Sequence, residues 1–125
     1  MIMNGADAIA EILKREGVEQ LVVFPAQDLI DACAKVGIRP VICRQERMGI
    51  AIADGFTRIS NGKRIGVFAM QRGPGAENSF PGAAQAFSDN VPILLIADGE
   101  STDRSFISPG FSSAENYRNV TKWLA

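Results

Sequence analysis

Glu46 is the side chain whose place in the sequence best suits chemistry. It follows a strand-like run, Ile38–Cys43, and begins a helix rich in Gly and Ala that continues to about Ser60. Ligands of parallel α/β folds bind beyond the carboxyl ends of the strands, where this carboxylate would lie. Gly49 and Gly55 each cost the helix about 1 kcal/mol relative to Ala, and a close neighbour usually offsets such a cost.

Two ordinary explanations compete with a chemical role for this segment. A carboxylate at a helix N-terminus contributes about 0.3–1 kcal/mol whatever else it does, and Arg44 and Arg47 could pair with Glu46 on the surface. Small residues at Gly49 and Ala53 would let another backbone approach closely, either from a partner or from the protein's own sheet. The sequence leaves both alternatives open.

A second candidate is the sharp turn Gly73-Pro74-Gly75, between a predicted strand and a predicted helix. Backbone amides at such a helix start can bind an anion. The GxGxxG and Walker patterns are both missing, so neither a dinucleotide site nor a P-loop is predicted. A tight turn with Pro74 near the helix start also accounts for these residues.

Composition excludes several classes of function. The 125 residues contain no histidine, which excludes Ser-His and Cys-His catalysis and most zinc sites. The net charge is −1 and the 13 basic residues are scattered, so we expect no nucleic-acid partner. No apolar run approaches the roughly 20 residues that span a bilayer, and no membrane partner is expected. Cys33 and Cys43 lack CxxC spacing, which favours a reduced, cytoplasmic setting.

Strand and helix patterns alternate along the chain and predict an α/β fold. We expect one domain over residues 1–125, a three-layer parallel sheet with helices on both faces. Right-handed crossovers would place the turns after Phe24, Cys43 and Met70 at one edge of the sheet. Predicted strands are 21–24, 38–43, 64–70 and 91–97, with Pro40 favouring an edge position for the second. Four helices are also predicted: one capped by Asn4, one capped by Asp28, one from Glu46 to about Ser60, and one from the Gly-Pro-Gly turn to about Asp89. The polar tail after Asp98 is predicted to be a surface segment with a short helical turn near 114–118.

In this order the pieces resemble the N-terminal pyrimidine-binding (Pyr) domain of thiamine diphosphate enzymes of the acetolactate synthase group. The resemblance covers almost the whole chain at roughly the right spacing. The matching segments are Gly5–Ala8, Leu13–Lys14, Glu16–Val18, Val23–Ala26, Arg44–Glu46, Ala53–Arg58, Arg72–Asn78, Ala86–Pro92 and Val120–Trp123.

The resemblance implies a catalytic role for Glu46. The family's glutamate at this position hydrogen-bonds N1′ of the cofactor's aminopyrimidine ring, and sharing its proton there promotes deprotonation of the thiazolium C2. By the same match, Pro25 and Ala26 border the cofactor, Gly73 lies beneath the pyrimidine ring, and Asn78 matches the family's Asn after the turn. The implied cofactors are thiamine diphosphate and Mg²⁺, and the implied activity is decarboxylation or carboligation of a 2-oxo acid.

Several residues depart from the family's pattern. Gln45 replaces a frequent His, and Ala26-Gln27 replaces a Gly-Gly pair. Gln71-Arg72 stands where Ser or Thr precedes the Gly-Pro-Gly turn, and Glu100 stands where Gln often follows the fourth strand. The resemblance therefore implies a substrate that differs from pyruvate, such as another 2-oxo acid.

The family's Gly-Asp-Gly…Asn-Asn motif, which binds the diphosphate and Mg²⁺, is missing from these 125 residues. We therefore expect no metal ligands here, and a diphosphate-binding domain of another subunit as partner in a homo-oligomer. The isolated domain is expected to be inactive. Two alternatives stay open: the α subunit of a split enzyme similar to sulfopyruvate decarboxylase, and a non-catalytic regulatory or assembly module.

Overall fold

The sheet consists of four parallel strands. The computed structural model describes residues 3–25, 27–104 and 107–125, and of Gln27 only the backbone. Within these ranges the strands are hydrogen-bonded in the order β2-β1-β3-β4, and β3 is buried at all five positions. The strands are β1 (Gln20–Val23), β2 (Arg39–Ile42), β3 (Gly66–Met70) and β4 (Ile93–Ala97).

Helices cover both faces of the sheet, which confirms the predicted three-layer α/β fold. One core joins side chains of the first two helices to the sheet, and a second core joins those of the third and fourth helices to its other face. No helix in the described ranges is both long and apolar enough to cross a membrane. The helices are α1 (Gly5–Arg15), α2 (Gln27–Lys35), α3 (Glu46–Ile59), α4 (Pro74–Ser88) and α5 (Ala114–Tyr117), the last followed by a 3-10 turn, Arg118–Val120.

Local signals in the sequence predict most of these boundaries. The side chain of Asn4 accepts a hydrogen bond from the Asp7 amide at 2.8 Å, so the predicted cap of α1 is confirmed. The predicted cap of α2 is wrong, because the helix begins at Gln27 and Asp28 lies inside its first turn. Pro40 lies on β2, which is an edge strand as expected, since proline cannot donate to a second neighbour.

Close backbone packing seats α3 on the sheet. A Cβ on Gly49 would lie 2.2 Å from the Phe68 ring, and one on Gly66 would lie 2.0 Å from the Ala53 carbonyl oxygen. The absence of a side chain at Gly49 and Gly66 therefore allows α3 to pack closely against the protein's own sheet. Gly55 differs, because a Cβ there would meet nothing within 4 Å.

The tail is only partly a surface segment, which corrects the sequence-based expectation. α5 lies where a helical turn is predicted, but Tyr117 is 6% exposed. Its ring packs edge-on against Phe80 of α4, with the two centroids 5.3 Å apart. The burial of Tyr117 could not be predicted from the polar composition of the tail, because a single aromatic residue produces no periodic pattern.

Candidate functional site

Glu46 lies where the sequence analysis places it, at the carboxyl edge of the sheet. It is the first residue of α3, shortly after β2, and is 7% exposed. The Cys43 amide donates to the Val23 carbonyl at 2.9 Å, which continues the pairing of β2 and β1 up to the helix start. A carboxylate is seldom buried to this extent without a partner, so its contacts decide what it can do.

The partner of Glu46 is Asn78, one turn into α4. The Asn78 Nδ2 donates to Glu46 Oε2 at 2.7 Å, and the Arg47 Nε donates to Asn78 Oδ1 at 3.0 Å. Among the ion pairs of the described residues, none involves Glu46. The explanation of Glu46 as a surface partner of Arg44 or Arg47 is therefore wrong.

The second carboxylate oxygen of Glu46 faces the Gly-Pro-Gly turn. A Cβ on Gly75 would lie 2.8 Å from Oε1, so only glycine leaves this oxygen its space. No hydrogen bond to Oε1 is found from the part of the chain that the structure describes. Among the described residues, one oxygen is thus bonded to Asn78, while the other lies next to Gly75 without a hydrogen-bond partner.

Gly73 shapes the turn that precedes α4. Its φ of 58° lies in the left-handed region that favours glycine, and its carbonyl accepts the Glu77 amide at 3.0 Å. The Ser113 hydroxyl donates to the same carbonyl at 3.3 Å, so a residue of the tail helps to stabilise the turn. Ser113 cannot be identified from the sequence, because no spacing links it to a residue forty positions earlier.

Buried hydroxyl groups support the first turn of α4. The Ser79 Oγ lies 2.9 Å from the Tyr117 hydroxyl, and both groups contact the Ala76 carbonyl. Burial raises the pKa of Tyr117, an effect that the Ser79 hydrogen bond opposes and the nearby Glu77 carboxylate reinforces. The phenol therefore stays neutral and acts as a structural hydrogen-bonding group.

An ion pair links the turn before Gly73 to the segment after β4. The Arg72 Nε lies 2.6 Å from Glu100 Oε1, and both side chains are partly exposed. Arg72, which departs from the family's pattern, is therefore paired with Glu100 rather than an unpaired cation. No group of three or more His, Cys, Asp or Glu that could bind a metal ion is found among the described residues.

Among the described residues, neither Pro25 nor Gly73 makes a hydrogen bond with Glu46, and the two line different hollows. Pro25 lines a cleft of about 540 Å³ together with Gln71 and Asp98, whereas Gly73 lines a larger groove of about 1180 Å³ along β4 and the tail. Ala26 lies outside the described residues. The structure therefore joins Glu46 and Asn78 directly, and places Pro25 in a separate hollow at the same edge.

Cys43, close to Glu46 in sequence, is a poor nucleophile. Its thiol donates to the Val23 carbonyl at 3.4 Å, and burial raises its pKa, an effect that backbone hydrogen bonds at Gln45 and Cys43 partly oppose and the Glu46 carboxylate reinforces. It and the buried Cys33 are both free thiols. Burial thus disfavours the thiolate form of both cysteines.

In parallel α/β folds, ligands bind beyond the carboxyl ends of the strands, and Glu46 lies at this edge. The sequence profile described as "Thiamine pyrophosphate enzyme, N-terminal TPP binding domain" matches residues 3–118, and the chain belongs to this family.

Named relatives agree with this assignment. The acetolactate synthase large subunit of Haemophilus influenzae is 32% identical over 99 residues, 76% of this chain and 17% of the relative. The chloroplastic acetolactate synthase of Arabidopsis thaliana is 34% identical over 126 residues, 95% of this chain and 18% of the relative. A probable acetolactate synthase large subunit of Methanocaldococcus jannaschii is 33% identical over 97 residues, 75% and 16% respectively. The chain thus spans less than a fifth of the length of these relatives.

Proposed function

We propose that this chain is the pyrimidine-binding half of a thiamine diphosphate-dependent 2-oxo acid decarboxylase or carboligase of acetolactate synthase-like type, with Glu46 as its catalytic acid. The observation that carries the proposal is the asymmetry of the Glu46 carboxyl group. Its Oε2 is bonded to Asn78, while Oε1 faces Gly75 without a partner from the described residues. A buried carboxyl group with one free oxygen is suited to sharing a proton with a ring nitrogen.

The residues at this edge would have different roles in binding the cofactor. Thiamine diphosphate supplies the electron sink for the reaction when it is bound. Glu46 would hold or release a proton at Oε1, while Asn78 orients the carboxyl group. Gly73 would let the backbone of the turn approach the pyrimidine ring, and Pro25 and Ala26 would border it. We propose that Mg²⁺ and the diphosphate are bound mainly by a domain outside these 125 residues.

The Arg72–Glu100 pair supports a substrate other than pyruvate. The two side chains lie 2.6 Å apart next to the Gly73 turn, where the family has smaller or neutral groups. All 2-oxo acids share a carboxylate, so the pair would discriminate among them by the different shape and charge that it presents to the rest of the acyl donor. We propose a 2-oxo acid as the substrate class.

We also propose that residues 1–125 act as one domain and work in the cytoplasm, where the free thiols of Cys33 and Cys43 would stay reduced.

The isolated chain should bind the cofactor weakly and show no turnover. The diphosphate and its metal ion contribute much of the binding energy through charge-assisted contacts, and those ligands are proposed to lie elsewhere. Calorimetric titration of the chain with thiamine diphosphate and Mg²⁺ tests this, with the enzyme assembled with its diphosphate-binding domain as the positive control. Micromolar affinity for the lone chain would show that the diphosphate site lies within these residues.

The chain should also self-associate, most simply as a symmetric dimer. The α3 stripe, consisting of Met48, Ile52, Gly55 and Ile59, follows helical spacing on the solvent side, and Ile59 is 90% exposed. Apolar stripes of this kind mark interaction sites. In sedimentation equilibrium, Ile59→Glu should weaken association.

The matched control for that experiment is Ile12→Glu. Ile12 is 58% exposed on α1, which packs against the opposite face of the sheet. A wild-type chain that stays monomeric at high concentration, or an equal loss of association in both variants, would contradict the prediction.

A further inference from the structure

Three side chains from two helices form a hydrogen-bonded row that ends at the Glu46 carboxyl group. Glu46 and Arg47 are the first two residues of α3, and Asn78 lies in the second turn of α4, which packs alongside. Arg47 donates to Asn78 at 3.0 Å, and Asn78 donates to Glu46 at 2.7 Å. Arg47 itself does not touch the carboxyl group through any ion pair of the described residues.

The direction of these hydrogen bonds is fixed by Arg47. A guanidinium only donates, whereas a side-chain amide can present either its oxygen or its NH₂ group. Because Arg47 Nε occupies the oxygen of Asn78, the NH₂ group of Asn78 must face Glu46 Oε2. A reversed amide would bring two oxygens together at the carboxylate and lose both hydrogen bonds.

The arrangement also decides which oxygen of Glu46 can carry a proton. Oε2 already accepts from Asn78, so a proton on this carboxyl group belongs on Oε1. Oε1 is the oxygen that faces Gly75, where the absence of a Cβ keeps space open. The row Arg47–Asn78–Glu46 therefore assigns the acidic proton of the carboxyl group to Oε1, the oxygen next to Gly75 that the proposed ligand would contact.

We infer that Arg47 is a positioning residue for Glu46, acting through Asn78 to fix Oε1 as the proton-bearing oxygen. The inference rests on the proposed function for its catalytic consequence, but the hydrogen-bonded row exists in the chain without any ligand. Nothing in the spacing of the sequence identifies the row, because Asn78 lies thirty-one residues after Arg47.

Two substitutions of Arg47 with side chains of similar length test whether its effect depends on the hydrogen bond to Asn78. Arg47→Gln keeps a nitrogen donor at the position of Nε, while Arg47→Met keeps the aliphatic length and has no donor. The first readout uses the 125-residue chain without cofactor. The side-chain NH₂ signals of Asn78 are assigned by NMR, and their exchange with water is measured. Exchange should rise about threefold to tenfold in Arg47→Met, the equivalent of one hydrogen bond, and should stay near the wild-type rate in Arg47→Gln.

The second readout uses the enzyme assembled with its diphosphate-binding domain. The rate of C2-proton exchange of bound thiamine diphosphate should fall about threefold to tenfold in Arg47→Met, with cofactor affinity unchanged and with most of the rate retained in Arg47→Gln. Equal losses in both variants would indicate a charge or folding effect and would overturn the inference. Unchanged Asn78 exchange in Arg47→Met would overturn it as well. Failure of the proposed function has a different signature, since C2 exchange would then be insensitive to Glu46 while the NMR result on the row would be unaffected.

Discussion

Replacing Glu46 with Gln should slow C2-proton exchange of bound thiamine diphosphate by about 10²–10⁴-fold, the usual contribution of a positioned acid or base. The substitution keeps the size of the side chain and leaves an oxygen to accept the hydrogen bond from Asn78 Nδ2. It removes the acidic proton that Oε1 is proposed to share with the pyrimidine ring. Exchange into deuterated water, followed by NMR of the cofactor after rapid quenching, measures the effect directly.

Glu77→Gln is the matched control for this measurement. Glu77 lies next to Asn78 on α4 and accepts a hydrogen bond from Asn116 at 2.9 Å, which a glutamine oxygen can still accept. This variant removes one negative charge near the same turn without altering the Glu46 carboxyl group. Wild-type exchange in Glu46→Gln would remove Glu46 from the mechanism, and an equal loss in Glu77→Gln would reduce its role to general electrostatics.

The fold could be predicted because its signals are local. Continuous apolar runs identify the strands, and the burial of every position of β3 is what such a run indicates. Asn4 and Pro40 each act through their own backbone neighbours, so the cap and the edge strand follow from residue type. Glu46 belongs to the same group, since strand and helix boundaries alone place it at the carboxyl edge.

The details of the site could not be predicted because they depend on contacts between distant segments. The roles of Arg47 and Asn78 become visible only when α3 and α4 lie side by side. Ser113 contacts the Gly73 carbonyl and Tyr117 contacts the Ala76 carbonyl, both from a tail whose polar composition indicates a surface loop. For the same reason the sequence alone does not tell which small residues of α3 pack against the sheet. In the structure Gly49 does so and Gly55 does not.

Gly66→Ala should be among the most destabilising single substitutions in the chain. The new Cβ would lie 2.0 Å from the Ala53 carbonyl oxygen and 2.6 Å from its carbonyl carbon, and neither backbone atom can rotate away. Retreat of α3 is opposed by Thr57, whose hydroxyl accepts the Gly66 amide at 2.8 Å and lies 3.0 Å from the Pro92 carbonyl. Overpacking typically costs about 1–3 kcal/mol and occasionally more, and a clash with rigid backbone belongs at the upper end of that range.

Thermal unfolding followed by circular dichroism checks this prediction, with an expected fall in melting temperature of about 10 °C or more. Gly55→Ala, on the helix α3 against which Gly66 packs, is the control, because its Cβ meets nothing within 4 Å and Ala is favoured over Gly in a helix by about 1 kcal/mol. Measured on dilute protein, the two alanines should therefore shift the transition in opposite directions. Since α3 begins with Glu46, its contact with β3 also sets where the carboxyl group lies. An unchanged melting temperature in Gly66→Ala would mean that α3 can move off the sheet at no cost, and that packing does not fix the position of Glu46.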